Sequence, residues 1–170
     1  MHPMLNIAIQ ASRQASKLIF RYFDQPDRIH VSEKSNNDLV TEVDTQAEQI
    51  IIEHIQQAYP SHSILGEESG LIEGDEYCWI IDPLDGTANF VRGIPHFAIS
   101  IAVKKEGELL VGMIYDPIRN ELFTAARGSG AQLNSRRMRV STTTHLQQAM
   151  VGTGFPFRDK HLVEPYLNTF

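Results

Sequence analysis

Trp79-Ile80-Ile81-Asp82-Pro83-Leu84-Asp85-Gly86-Thr87-Ala88-Asn89-Phe90, entered through Tyr77 and Cys78, is the stretch on which the reading of this chain turns. Tyr77 to Ile81 is an apolar strand that carries Asp82 to its end. Pro83 has no N–H to give a sheet and drives the backbone out of it. Asp85 lies three residues on, placed to turn back toward Asp82. The Leu84 carbonyl between them is released from sheet pairing and free to point the same way. Gly86 permits a turn whose backbone N–H groups face inward, as an anion requires.

A second cluster precedes it. The short strand Ile64-Leu65 runs into Gly66-Glu67-Glu68-Ser69-Gly70. Taken singly, Asp-Pro followed by Asp-Gly is an ordinary turn, and an acidic pair such as Glu67-Glu68 is a solvated one. Together, each at a strand end, they offer two carboxylates, a carbonyl and a nearby Glu. An all-oxygen set of this kind suits a hard cation such as Mg²⁺ over Zn²⁺.

Working outward, the downstream chain keeps a period of two. Ile99, Ile101 and Val103 share one face of a strand over Ala98 to Val103, and Glu106-Gly107-Glu108 turns into Leu109 to Tyr115. Asp116-Pro117 and Arg119-Asn120 turn into Glu121 to Ala125, and Gly128 to Gly130 leads to Ala131 to Leu133. Connections this short join antiparallel strands. Upstream the period is 3.6. Met4, Ala8, Ala11, Ala15, Leu18 and Tyr22 form a stripe on a first helix that ends at Asp24 to Asp27. Ser32 to Asp38 reads as an exposed loop. A second helix begins between Thr41 and Thr45, since Thr41 with Asp44 and Thr45 with Glu48 both match capping-box spacing. Its expected buried stripe is Val43, Ala47, Ile50, Ile51, His54 and Ile55, and Pro60 stops it. Two helices followed by a meander give an α+β class, with the helices packed on an antiparallel sheet.

After Ser141 the pattern changes. Ala149 to Thr153 reads as a buried strand, Gly154-Phe155-Pro156 as a turn, and a helix begins at Asp159 and still runs at Phe170. A strand and an unfinished helix cannot bury their own faces. The expected division is therefore an N-terminal α+β metal-binding domain over 1–144 and the start of a truncated C-terminal α/β domain over 145–170.

Composition narrows the class. Apolar residues make up 42% of the 170, enough for a core, while 15 Lys and Arg stand against 21 Asp and Glu for a net charge of −6. That balance excludes a dedicated nucleic-acid binder, which needs a basic footprint. Cys78 is the single cysteine, so no intrachain disulfide forms. With no signal-peptide pattern and no apolar run of roughly 18 residues, the expectation is a reduced, cytoplasmic protein without a membrane span. Arg136, Arg137 and Arg139 read as a solvated hairpin, and Cys78 as a buried thiol. The seven His show no pair at metal-ligand spacing within one strand or helix.

Gly66-Glu67-Glu68-Ser69 and the stretch from Trp79 to Phe90 resemble the two signature motifs of the inositol monophosphatase family. Asp38-Leu39-Val40-Thr41-Glu42-Val43-Asp44 resembles the motif upstream of them. Pro95 to Ser100, Tyr115-Asp116-Pro117, Asn120 to Phe123 and Thr153 to Pro156 are similar to its bacterial branch. The resemblance implies the N-terminal part of a layered α-β-α-β-α sugar-phosphatase fold.

It also implies roles. Glu67 would bind metal and hold the attacking water, Asp82 would bridge two Mg²⁺ ions, and the Leu84 carbonyl and Asp85 would bind one ion each. Thr87 and Asp44 would form the couple that orients and deprotonates that water, so Glu67, Thr87 and Asp44 are the catalytic set. The Asp85-Gly86-Thr87 backbone would cradle phosphate, giving Glu67, Leu84, Asp85, Gly86 and Thr87 as substrate contacts. Glu68 would steer an outer-sphere water or stand as a solvated neighbour. A further metal-binding Asp and the polyol contacts belong to the family's C-terminal half, past Phe170, so this chain alone is expected to be inactive.

The implied reaction is Mg²⁺-dependent hydrolysis of myo-inositol 1-phosphate, with related sugar-bisphosphate and nucleotide 3′-phosphate phosphatases as rivals. The family also implies a homodimer and lithium sensitivity. From a different class, bacterial members are associated with transcription antitermination complexes through protein partners, with no direct contact to nucleic acid expected.

Overall fold

Helix α1 covers Pro3–Phe23, with proline in its first turn, where its fixed φ is an advantage. It buries Leu5, Ala8, Ala11, Ser12, Ala15, Ser16 and Ile19. The buried stripe is therefore turned from the expected one: Met4, Leu18 and Tyr22 lie at its margin, while Leu5 and Ile19 sit in the core. Small residues explain the turn, because Ala8, Ala11, Ser12, Ala15 and Ser16 make a flat strip that a second helix can approach closely. The two serines remain satisfied inside that strip by bonding back to Ile9 O and Arg13 O, each at 3.0 Å.

This computed structural model describes residues 2–25, 31–35, 38–156 and 159–169, and at 31–35 and 38–40 the backbone alone. Ser32 to Asp38, expected as a loop, carries instead much of an antiparallel pair, β1 (Val31–Ser35) and β2 (Asp38–Thr41). Polar composition hid it, since two-stranded pairing needs only backbone. Pro26 and Asp27 lie outside the described residues. Helix α2 spans Glu42–Ala58 and resolves the choice of caps: Thr41 is the N-cap, its hydroxyl accepting from Val43 N at 3.1 Å while its own N–H donates to Asp44 Oδ2 at 2.8 Å. Val43, Ala47, Ile51 and Ile55 are buried as expected; Ile50 and His54 lie at the margin, and Ile52, Asp44 and Glu48 are buried in addition.

Eight strands follow in one sheet: β3 (Ser63–Gly66), β4 (Gly70–Ile72), β5 (Tyr77–Asp85), β6 (Ala98–Lys105), β7 (Glu108–Asp116), β8 (Glu121–Ala126), β9 (Gly130–Leu133) and β10 (Arg136–Arg137). Helix α3 (Thr87–Val91) interrupts the series after β5. The spatial order is β10-β9-β8-β7-β6-β5-β3-β4. From β5 onward it is the expected antiparallel meander. Before β5 it is not, because β3 pairs parallel with β5 and antiparallel with the missed strand β4, so the sheet is mixed. The crossover through β4 brings β3 and β5 to the same sheet end, with Gly66 opposite Ile81.

One sheet face packs under the two helices: Ile99, Ile101, Val103, Val111 and Met113 are buried there, with α1 against α2, β6 and β7 and α2 against β5. Trp79 is fully buried in β5, its indole N–H donating to His62 Nδ1 at 3.0 Å. His62 in turn lies between the rings of Tyr59 and Tyr77, with centroids at 4.6 and 4.7 Å. Cys78 is half-buried, its neighbours facing the other way along the strand. Arg136 and Arg137 are exposed, as expected of a solvated hairpin.

The segment after residue 140 departs most from expectation. Ala149 to Thr153 forms no strand and is exposed, Met150 almost entirely so. An apolar run becomes a strand only where an edge pairs with it, and no described strand does. The expected helix from Asp159 is a 3₁₀ turn, Lys160–Leu162, followed by α4 (Val163–Leu167), which ends with Asn168 as its cap rather than running on.

The close approach of α1 and α2 sets a test. Ala11→Leu should overpack their contact and cost roughly 1–3 kcal/mol, read as a lower urea midpoint. Arg13→Gln, on the exposed face, should stay within about 0.5 kcal/mol of the unsubstituted chain.

Candidate active site

The site is built at the end of β5 from a break in strand register. Asp82 pairs with Ser100 and Asp85 with Ala98, so Pro83 and Leu84 together stand opposite Ile99. Pro83 therefore does not end the strand, as expected, but sits in a bulge, where its missing N–H is tolerated. The extra residue reverses the alternation. Trp79, Ile81 and Pro83 point to the core, Leu84 follows them there, and Asp85 rather than Leu84 comes onto the face of Asp82. Leu84 N donates back to Asp82 Oδ1 at 3.2 Å and steadies that carboxyl.

Glu67 reaches the same place from β3, its N–H donating to Ile81 O at 3.1 Å, one residue short of Asp82. The two side chains are hydrogen-bonded to each other, and the negative charge of Asp85 acts on the pair. Burial, then the charge and hydrogen bond of Glu67, then Asp85 push the Asp82 carboxyl up to about 7; only the Leu84 N–H works the other way. Glu67 and Asp85 are exposed, and Asp82 is half-buried. Three acidic groups from two motifs thus converge at one strand end.

A second half of the site joins α2 to the turn after β5. Gly86 takes a left-handed conformation, φ +98°, which an L side chain rarely adopts; a Cβ there would also lie 3.0 Å from His96 O. Thr87 then opens α3. Its hydroxyl lies 2.8 Å from Asp44 Oδ1 and 3.0 Å from Leu84 O, two acceptors for one proton. The Asp44 carboxylate is buried and accepts also from Thr41 Oγ1 at 2.6 Å and Thr41 N at 2.8 Å. Asp44 is thus both the helix cap partner and the partner of Thr87.

The expected residues are therefore gathered in two groups, Glu67 with Asp82 and Asp85, and Asp44 with Thr87 and the Leu84 carbonyl. Among the described residues no three His, Cys, Asp or Glu side chains stand ready-made around an ion. The donor chemistry nonetheless fits a hard cation, since only oxygens are offered. Glu48 escaped the sequence reading, where it served only as a candidate cap partner of Thr45. It is 2% exposed and accepts from Glu68 N at 3.0 Å and Ser69 N at 2.7 Å. Its signal was position: it lies one turn after Asp44, between Ala47 and Ile51 on the buried stripe. His96 is exposed, with its ring 3.3 Å from an Arg119 guanidinium nitrogen.

Known proteins share this arrangement of chain. The model of the inositol monophosphatase family matches residues 1–168. The Nus factor SuhB of Pseudomonas aeruginosa is 54% identical over 176 aligned positions, covering 100% of this chain and 65% of that protein. The crystal structure of the extragenic suppressor protein suhB from Bartonella henselae superposes with a TM-score of 0.81 at 43% identity, over 84% of this chain and 56% of that one. Inositol monophosphate-bound SaIMPase-II superposes at 0.78 with 28% identity, over 98% of this chain and 61% of that one. The chain spans less than two thirds of the length of each. By its strand-end carboxylates, its fold and these matches, the chain belongs to the inositol monophosphatase family.

Proposed function

We propose that this chain carries the N-terminal part of a Mg²⁺-dependent phosphatase site acting on a phosphate monoester, with myo-inositol 1-phosphate as substrate. The observation that carries the reading is the crowding of Asp82, Glu67 and Asp85 at the end of β5, where burial and the neighbouring charges push the Asp82 carboxyl up to about 7. A phosphate dianion would be repelled by these groups alone. They become a phosphate site only when a cation neutralises them. Mg²⁺, when bound, supplies that charge reversal, lowers the pKa of water and clamps the attacking and leaving oxygens.

Glu67, Asp82, Asp85 and the Leu84 carbonyl are the residues that would hold it. Asp82, pushed up to about 7 by burial and its acidic neighbours, would hold it in the ionised form. Thr87 and Asp44 act on the water instead. The Thr87 hydroxyl, hydrogen-bonded to a buried carboxylate, orients the attacking water and passes its proton toward Asp44 Oδ1. The opening turn of α3, whose first internal bond is Asn89 N to Gly86 O at 2.9 Å, leaves amides at Gly86 and Thr87 for phosphate oxygens. The ligand of SaIMPase-II supports the choice of substrate. The exposure of 141–155 supports a unit boundary near residue 145.

A second reading is favoured by the name of the Pseudomonas aeruginosa relative, a Nus factor. The same fold would then serve protein partners of a transcription complex independently of hydrolysis. Asp82→Asn separates the two, since partner capture should survive it and phosphate release should not.

The primary test is phosphate release from myo-inositol 1-phosphate, with Mg²⁺ and with EDTA, by this chain beside a polypeptide of full family length that contains it. Release by the longer polypeptide only with Mg²⁺ is expected. In it, Thr87→Ala should lower kcat by about 10²–10⁴-fold and Thr87→Ser should restore most of the loss. Release that EDTA does not affect would sink the reading. In this chain alone, Mg²⁺ at about ten times its Kd should stabilise by ~1.4 kcal/mol and raise the melting temperature by roughly 3–6 °C.

The Asp82 proton gives a further test. Its folded pKa of about 7 lies above the ordinary 3.8, so the stabilisation it brings is full below pH 4 and is lost as pH rises toward 7. In EDTA, the urea midpoint should therefore fall between about pH 4 and pH 7 by more in the unsubstituted chain than in Asp82→Asn. Mg²⁺ competes with this proton, so its affinity should climb over the same interval and level off above it. Equal pH slopes for the two proteins would remove Asp82 from the account.

A further inference from the structure

We infer that Glu48 is a positioning residue that sets where Glu67 meets Asp82, so that one turn of α2 holds both halves of the candidate site. The inference rests on the proposed role of Glu67 as a metal ligand. Glu48 itself contacts no reacting atom and lies behind the Glu67 loop.

Three observations meet at this carboxylate. It is buried, and a buried carboxylate persists only where donors are fixed around it. Those donors are two successive backbone amides, Glu68 N at 3.0 Å from Oε2 and Ser69 N at 2.7 Å from Oε1, so both oxygens are committed to the residues just after Glu67. The residue just before Glu67 is shaped to admit it. A Cβ on Gly66 would lie 2.5 Å from Glu48 Oε2 and 2.6 Å from its Cδ, and also 2.5 Å from Ser69 Oγ. The backbone of Glu67 is thus clamped on both sides, its own N–H on Ile81 O and the next two on Glu48.

The geometry of α2 gives the clamp its reach. Asp44 and Glu48 are four residues apart and so stack on one face of the helix. Asp44 receives the Thr87 hydroxyl from the turn after β5, and Glu48 receives the loop after β3. The two motifs meet through the pairing of β3 with β5, and both are in addition referred to the same rigid helix. Groups of this kind, which orient ligands without touching the metal, typically govern affinity by 10–100-fold.

The test uses Mg²⁺ binding to this chain, followed by calorimetry, and amide hydrogen exchange. Glu48→Gln keeps the shape but turns an N–H toward one of the two amides. It should weaken Mg²⁺ binding by about 10-fold or more while the folded baseline of the chain is kept. Gly66→Ala, which pushes on the same carboxylate, should do likewise, and Glu53→Gln on the exposed face of α2 should not. A Glu48→Gln protein that binds Mg²⁺ as tightly as the unsubstituted chain would overturn the inference. A measurement on the unsubstituted chain stands even if both variants fail to fold. Its Glu68 and Ser69 amides should be protected from exchange to the level of the α2 core, and fast exchange there would overturn the inference. If the unsubstituted chain binds no Mg²⁺ while those amides are protected, the clamp stands and the metal reading of Glu67 falls.

Discussion

Two carboxylates buried on one face of one helix are the constraint around which the rest of this structure is arranged. Asp44 and Glu48 are 3% and 2% exposed, on the stripe of α2 that otherwise buries Val43, Ala47, Ile51 and Ile55. A lone ionised carboxylate in such a place would cost on the order of several kcal/mol. The donors that relieve them come from segments that carry the site or cap the helix: Thr41, Thr87, Glu68 and Ser69. Satisfying the helix and assembling the site are therefore the same physical event.

The sheet contributes the opposite kind of group. At the end of β5 the acidic side chains crowd one another, and the bulge at Pro83 and Leu84 turns Asp85 onto the face of Asp82 instead of away from it. Glu67 arrives because β3 runs parallel to β5 and ends beside Ile81. The result is one carboxyl held near neutrality in its protonated form by its neighbours. Contrast between the two halves is the useful feature: the α2 carboxylates are saturated with protein donors, and the strand-end carboxylates are crowded against one another.

Much of the site was legible because its residues are local to strand ends and turns. Asp82, Leu84, Asp85, Gly86 and Thr87 are consecutive or nearly so, and an apolar run followed by Asp-Pro marks a break in a strand, although here the break is a bulge and β5 runs on to Asp85. The Thr41–Asp44 spacing announced a cap, and the same spacing at Thr45–Glu48 offered a rival that only burial could dismiss. What escaped had no local signal. Glu48 looks like any helical glutamate until Ala47 and Ile51 on either side are seen to be buried. The pair β1 and β2 is polar, β4 is three residues long, and the apolar run at Ala149 to Thr153 promised a strand that finds no edge to join.

By itself, then, the amino-acid sequence determined the class of the fold, the antiparallel meander from Ala98 to Leu133, the family, and the chemical character of the site as oxygen-rich and acidic. These follow from periodicity and residue type, which neighbours along the chain reveal. Only the tertiary structure decided that β3 lies parallel to β5, that Thr41 with Asp44 rather than Thr45 with Glu48 caps α2, and that Glu48 faces inward to hold the Glu67 loop. Those facts depend on pairing across 15 residues from Gly66 to Ile81, 20 from Glu48 to Glu68 and 43 from Asp44 to Thr87. Such pairing is selected by which buried polar groups must find donors once the helices and the sheet have packed, and no local pattern encodes that competition.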